Sequence, residues 1–196
     1  MSKADPASSK KERNKAIRWM VTIFLVTIFI SALISFASEE LMSGKGMAVS
    51  FIILFAIVLL GIVFDIVGVA VTSAEEKPFH SMAARKVPGS HEAIKMLRSA
   101  DRVGTICNDV IGDICGVVSG SAAATIAANV INRGLIDNTR ERLVLLAMSS
   151  LVAALTVSGK ALGKNLAINS CTKIVHIVGQ VIYRFSHISD IFRKKK

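Results

Sequence analysis

Two long runs almost without charge constrain this sequence more than any other feature. Residues 19–37 contain no Asp, Glu, Lys or Arg, and residues 47–71 contain one acid, Asp65. A transmembrane α-helix needs about 20 mainly apolar residues to cross the ~30 Å hydrocarbon core of a bilayer. Both runs therefore predict membrane-spanning helices. The whole chain is 52% hydrophobic, which few soluble domains reach.

Two further apolar runs, over about residues 103–131 and 143–159, predict two more spans. The first of them is rich in Gly, Ala and Ser, and small residues let membrane helices approach one another closely. We therefore expect this third span to be buried among its neighbours. The predicted fold is an all-α integral membrane protein with four transmembrane helices. Residues 1–18 are predicted to be a basic, mobile segment, and residues 19–46 the first span with its outer loop.

The polar stretch between the second and third spans is broken by prolines. This pattern predicts a pair of short cytoplasmic helices, over about residues 78–86 and 90–100. The second of them has one apolar face, which we expect to lie against the membrane or the bundle. That face consists of Ala93, Met96, Leu97 and Ala100.

The C-terminal region has an amphipathic pattern. Apolar residues recur there at helical spacing, with basic and polar residues on the other side, as is typical of a helix lying in the membrane interface. Residues 165–196 are thus predicted to form an interfacial amphipathic helix with a basic tail. The apolar side consists of Ile174, Ile177, Val178, Val181, Ile182, Phe185, Ile188 and Phe192.

The distribution of positive charge predicts the orientation. With a cytoplasmic N-terminus, inner segments hold twenty of the 24 Lys and Arg residues, and the outer loops at 38–46 and 132–142 hold four. This bias follows the positive-inside rule, so we expect an inner-membrane protein with both termini in the cytoplasm. The net charge of +10 is then explained by contact with anionic lipids, and no nucleic-acid partner is needed.

Three acids fall within the predicted spans, all in the inner half of the bilayer: Asp65, Asp109 and Asp113. An ionised Asp at such depth costs several kcal/mol and usually faces the bundle interior, paired or coordinating an ion. Together with Asn108, these oxygen ligands suit Mg²⁺ or Ca²⁺. Two other interpretations stay open: an ion pair with Lys160, which closes the fourth span, and a proton relay. No arrangement of residues suggests catalysis, so we do not expect an enzyme.

Three short motifs, in this order along the chain, resemble the transmembrane domain of the CNNM/CorB/CorC family, which is associated with magnesium and cobalt transport or efflux. Residues 72–75 loosely match its F-S-x-x-E motif. Gly112-Asp113, with Asn108 upstream, matches a G-N-x-x-x-N-like motif, and residues 159–164 match G-E-x-x-P-K. The likeness covers about residues 50–170, within a predicted core domain at 47–164, and does not include the CBS pair that many family members carry.

The resemblance implies a homodimer that transports or regulates divalent cations such as Mg²⁺ or Co²⁺. It departs from the family at Lys160, which stands where the motif has an acid, and at Gly163, which replaces the proline. The alternative function is a non-transporting membrane scaffold or interaction protein in which Lys160 replaces the bound cation. The candidate metal-ligating residues are Asp113, Asp109, Asn108, Asp65 and Ser73.

Overall fold

The computed structural model of this chain is built from α-helices. It describes residues 6–42, 44, 46–132 and 141–193. Four stretches within these residues are long and apolar enough to cross a membrane, which confirms the all-α prediction and indicates a multi-pass membrane protein. The helices are α1 (Pro6–Met42), α2 (Met47–Ser73), α3 (Lys77–Ala84), α4 (Ser90–Arg98), α5 (Ala100–Gly104), a π-helical segment (Thr105–Gly112), α6 (Asp113–Asn132), α7 (Glu141–Asn169) and α8 (Cys171–Arg193).

The first helix is much longer than predicted. It is already helical at Pro6, the first residue that the structure describes. The Ala, Lys, Glu and Arg residues that follow are good helix formers. Residues 6–18 of the segment predicted to be basic and mobile are therefore helical, and the helix also includes residues 38–42 of the predicted outer loop. Residues 1–5 and most of the other outer loop, at 132–142, lie outside the described residues.

The third span consists of α5, the π-helical segment and α6 in succession. In its most apolar stretch 44% of the residues are buried, against 17% for α2, 11% for α7 and none for α1. The third span is thus the most buried of the four, as predicted, although one side of it is open at Val117. Its small residues Ala122 and Ala123 pack beside Ile126 against Leu54 of α2 and Val152 of α7.

The predicted pair of short helices is present as α3 and α4. They form a second core with one end of α2 and with α8, in which Phe79 and Ala93 are fully buried. The predicted apolar face of α4 is largely correct, since Leu97 is buried and Met96 and Ala100 pack against the same core.

The last helix, α8, follows α7 after Ser170. The structure divides its apolar residues between two sides. Ile174 packs against the core together with the fully buried Val175, which was not among the residues predicted to face the membrane. The exposed apolar residues are Ile177, Val181, Ile182 and Phe185. Ile188 and Phe192 fall where side chains are not described.

Candidate functional site

Two of the three acids predicted within the spans meet Lys160 at the junction of three helices. Asp65 comes from α2, Asp113 is the first residue of α6, and Lys160 comes from α7. The Nζ of Lys160 lies 3.3 Å from the Oδ1 of Asp113 and 3.9 Å from the Oδ1 of Asp65. Only the shorter contact is a hydrogen bond. A single ammonium therefore lies between two carboxylates from different helices.

The two carboxylates differ in their surroundings. The side chain of Asp65 is 16% exposed and that of Lys160 is 23% exposed, whereas that of Asp113 is 72% exposed. A charge enclosed by protein loses its water and depends on a partner. Asp65 therefore depends on Lys160 more than Asp113 does, although Asp113 makes the shorter contact.

Close helix packing brings the lysine to this position. Gly159 and Gly163 of α7 lie against Ile62 and Ile66 of α2, so closely that a Cβ on Gly163 would lie 2.7 Å from the Cγ1 of Ile66. Glycines four residues apart allow such an approach of two membrane helices. Lys160 comes directly after Gly159, so the close contact between α7 and α2 also places its side chain beside Asp65 and Asp113.

Gly112, the last residue of the π-helical segment, makes room for the ion pair itself. A Cβ at this position would lie 3.4 Å from the Nζ of Lys160 and 3.7 Å from the Oδ1 of Asp65. A side chain larger than that of alanine would therefore compete with the ammonium for the same space.

The π-helical segment also carries Asn108 and Asp109. The side chain of Asn108 lies against Gly68 of α2, where a Cβ would overlap its amide. Its Oδ1 atom is buried and has no hydrogen-bond partner among the described residues. Short π-helical stretches occur mainly inside α-helices and often at functional sites. Hydrophobic periodicity in the sequence does not predict this π-helical segment. The closest indication is Gly68, a small residue in a run of larger apolar ones, which leaves space for the side chain of Asn108.

The remaining candidate metal ligands are not gathered around the lysine. The side chain of Asp109 is exposed, and no ion pair to it occurs within the described part of the chain. Ser73 is the exposed last residue of α2, eight residues beyond Asp65, which corresponds to about 12 Å along the helix axis. In residues 6–42, 46–132 and 141–193 no group of three or more His, Cys, Asp or Glu side chains is arranged to hold a metal ion.

A cleft of about 430 Å³ opens beside the ion pair, between α6 and α7. Asp113 and Lys160 lie in its wall together with Ser119 and Thr156. These two hydroxyls donate hydrogen bonds to backbone carbonyls of their own helices, at 2.9 Å and 2.8 Å. Their donors are thus already used, whereas the side chain of Asp113 is 72% exposed.

No family model, curated protein or solved structure matches this chain. The likeness to the CNNM/CorB/CorC transmembrane domain therefore rests on the motifs given above, and its implications are proposals.

Proposed function

We propose that this chain is a membrane scaffold or interaction protein in which Lys160 takes the place of a bound cation. The supporting observation is the position of its ammonium, 3.3 Å from one carboxylate and 3.9 Å from another. A cation held by covalent attachment to α7 fastens that helix to α2 and α6. It also offsets negative charge that would otherwise be costly at this depth.

The proposed setting is the inner membrane, with both termini in the cytoplasm and the chain paired as a homodimer. The orientation is supported by the positive-inside bias, with twenty Lys and Arg residues in the segments predicted to be inner and four in the predicted outer loops. The homodimer follows from the family resemblance alone.

A second candidate is divalent-cation transport or homeostasis of CorB type, with Mg²⁺ as the bound or transported ion. It is favoured by the 72% exposure of Asp113, which lies in the wall of the cleft, and by the exposed carboxylate of Asp109 one turn earlier. Hard divalent cations prefer such oxygen ligands. In this function Lys160 would have to move aside or share Asp113 with the ion.

The experiment that separates the two functions is thermal melting of purified variants over a series of Mg²⁺ concentrations. Lys160→Met should destabilise the protein without added metal, because it leaves Asp65 enclosed and unpaired. Removing one member of a fully buried pair costs about 3–5 kcal/mol, and we expect less here because Lys160 and Asp113 are partly exposed. Lys95→Met, at an exposed position of α4 outside the three helices of the ion pair, is the control and should have little effect.

Second-site changes identify which carboxylate matters. Adding Asp65→Asn to Lys160→Met should recover most of the loss, whereas adding Asp113→Asn should recover less, because the Asp113 carboxylate is the more exposed. Equal melting of Lys160→Met and the unaltered chain would contradict the scaffold function. Stabilisation of the unaltered chain by Mg²⁺ that is lost in Asp113→Asn, and increased in Lys160→Glu, would instead favour the second function, because it would show that Asp113 binds the ion.

A further inference from the structure

The outer side of α8 carries apolar and basic residues in a defined arrangement. Lys173, Ile177, Val181 and Phe185 are four residues apart and all exposed, so they form one line along the helix. The apolar members are 57%, 46% and 70% exposed, in that order. Arg184 is exposed beside the same line. We call these five residues the outer face of α8.

The opposite side of α8 is occupied by the protein itself. Val175 is fully buried, and Gly179 lies so close to α4 that a Cβ there would overlap the carbonyl oxygen of Gly89 and lie 3.3 Å from the Cβ of Ala93. This backbone contact sets the rotation of α8 about its axis. The outer face is therefore directed away from the bundle as a consequence of packing.

The position of α8 in the chain restricts what its outer face meets. The spanning helix α7 ends at Asn169, and α8 starts at Cys171. The backbone N–H of Ser170 bonds to Leu166 at 3.0 Å, and its carbonyl accepts from Ile174 at 3.0 Å. With a single residue between the two helices, the start of α8 stays at the end of a membrane span.

We infer that the outer face of α8 binds the surface of an anionic lipid bilayer. Apolar side chains on an interfacial helix insert about 5–10 Å into the boundary between headgroups and acyl chains. Lys173 and Arg184 at the edge of the face would then lie among the headgroups, where basic residues attract anionic lipid. Residues 171–186 contain no Asp or Glu to offset this attraction.

The same charges disfavour a second copy of the chain as the occupant. A two-fold contact brings the same patch from both copies together. Lys173 and Arg184 of one copy would then approach those of the other, with no acid on the face to separate them. A lipid surface supplies negative charge and apolar volume together, and fits the face better.

The test uses the full chain in nanodiscs, with a fluorescent label on Val181→Cys in a Cys171→Ser background. The two other cysteines, Cys107 and Cys115, are buried and should not react. Quenching by spin-labelled phosphatidylglycerol is compared with quenching by spin-labelled phosphatidylcholine and by aqueous iodide. Two basic residues near the surface should favour the anionic lipid by up to about 30-fold in relative association, and iodide should quench little.

Paired charge changes locate the effect. In Lys173→Gln/Arg184→Gln the preference for phosphatidylglycerol should be lost, while in Arg85→Gln/Lys86→Gln, which removes two exposed charges between α3 and α4, it should persist. Equal quenching by the two lipids in the starting protein would overturn the inference, as would strong quenching by iodide. Protection from all three quenchers would also overturn it, in favour of a second copy or another protein on this face.

Discussion

The first and third spans are both long enough to cross a bilayer, but they differ in how much of each is buried inside the protein. The first is the more apolar of the two, yet none of its most apolar stretch is buried inside the protein, whereas 44% of the third is. Lipid chains are as apolar as leucine, so hydropathy by itself drives no membrane helix against another. The comparison shows that high hydropathy places a helix in the membrane, whereas a high content of small residues places it at the centre of the bundle.

Individual side chains repeat this contrast. In α1, Phe24, Phe29 and Phe36 are 64–70% exposed, and these bulky rings face outward. In α6, Ala123 and Ala127 are fully buried, because a side chain of this size lets neighbouring backbones come near. The same contrast predicts where substitutions are costly.

The largest difference is expected for equal truncations in the two spans. Ile126→Ala in α6 removes a side chain that is 1% exposed, and we expect a loss of about 2 kcal/mol. This is the low end of the range for buried isoleucine, because lipid offers no transfer term beyond the cavity cost. Ile28→Ala in α1, where the side chain is 52% exposed, should cost a small fraction of this. Unfolding in mixed micelles measures both, and equal losses would break the comparison.

A smaller effect is expected from adding a methyl group at a close helix contact. A Cβ on Gly61 of α2 would lie 2.8 Å from the Cβ of Cys115. Gly61→Ala must therefore push α2 and α6 apart, at a cost of about 1–2 kcal/mol. Gly120→Ala in α6, which meets nothing within 4 Å, is the matched control and should be neutral. If Gly120→Ala reduced the free energy of unfolding in mixed micelles more than Gly61→Ala does, the side of α6 that carries Gly120 would have to be in contact with another helix in the membrane.

The smallest effect concerns a polar contact between the two spans, which also meet through apolar side chains such as Ile30 and Ile114. The guanidinium of Arg102 in α5 lies 5.1 Å from the ring centroid of Trp19 in α1. Such cation–π contacts contribute about 0.5–1 kcal/mol at exposed sites, so Trp19→Leu should reduce the free energy of unfolding by that amount. Phe24→Leu, at an outward position of the same helix, should not. An identical response of the two variants would mean that α1 is held by apolar packing alone.

The sequence was sufficient for the parts of the fold that depend on composition and period. The four candidate spans and the apolar face of α4 follow from run lengths and helical period. The first helix shows the limit of this reasoning. Hydropathy predicts its membrane segment but does not predict that the polar residues before Trp19 are helical as well.

Contacts between helices could not be predicted in the same way. That Lys160 lies near both Asp65 and Asp113 depends on the rotation of three helices, which is set by the glycine contacts. The π-helical segment changes the register of Asn108 and Asp109 by a small amount that no hydrophobic pattern records. The division of α8 into a packed side and an outer face depends on Gly179 meeting Gly89, two residues far apart in the chain.

That contact between Gly89 and Gly179 also links the ion-paired helices at one end of the bundle. α4 continues through Ser99 into α5 and the π-helical segment that precedes Asp113, and α8 follows the helix of Lys160 after Ser170. The segment that leads to Asp113 and the segment that follows Lys160 are thus joined near the same end of the bundle. A slip of α7 by one residue would move Lys160 by about 1.5 Å and would have to drag α8 and α4 with it. The contact between Gly89 and Gly179 therefore keeps the ammonium of Lys160 and the carboxylate of Asp113 at the same level along the bundle.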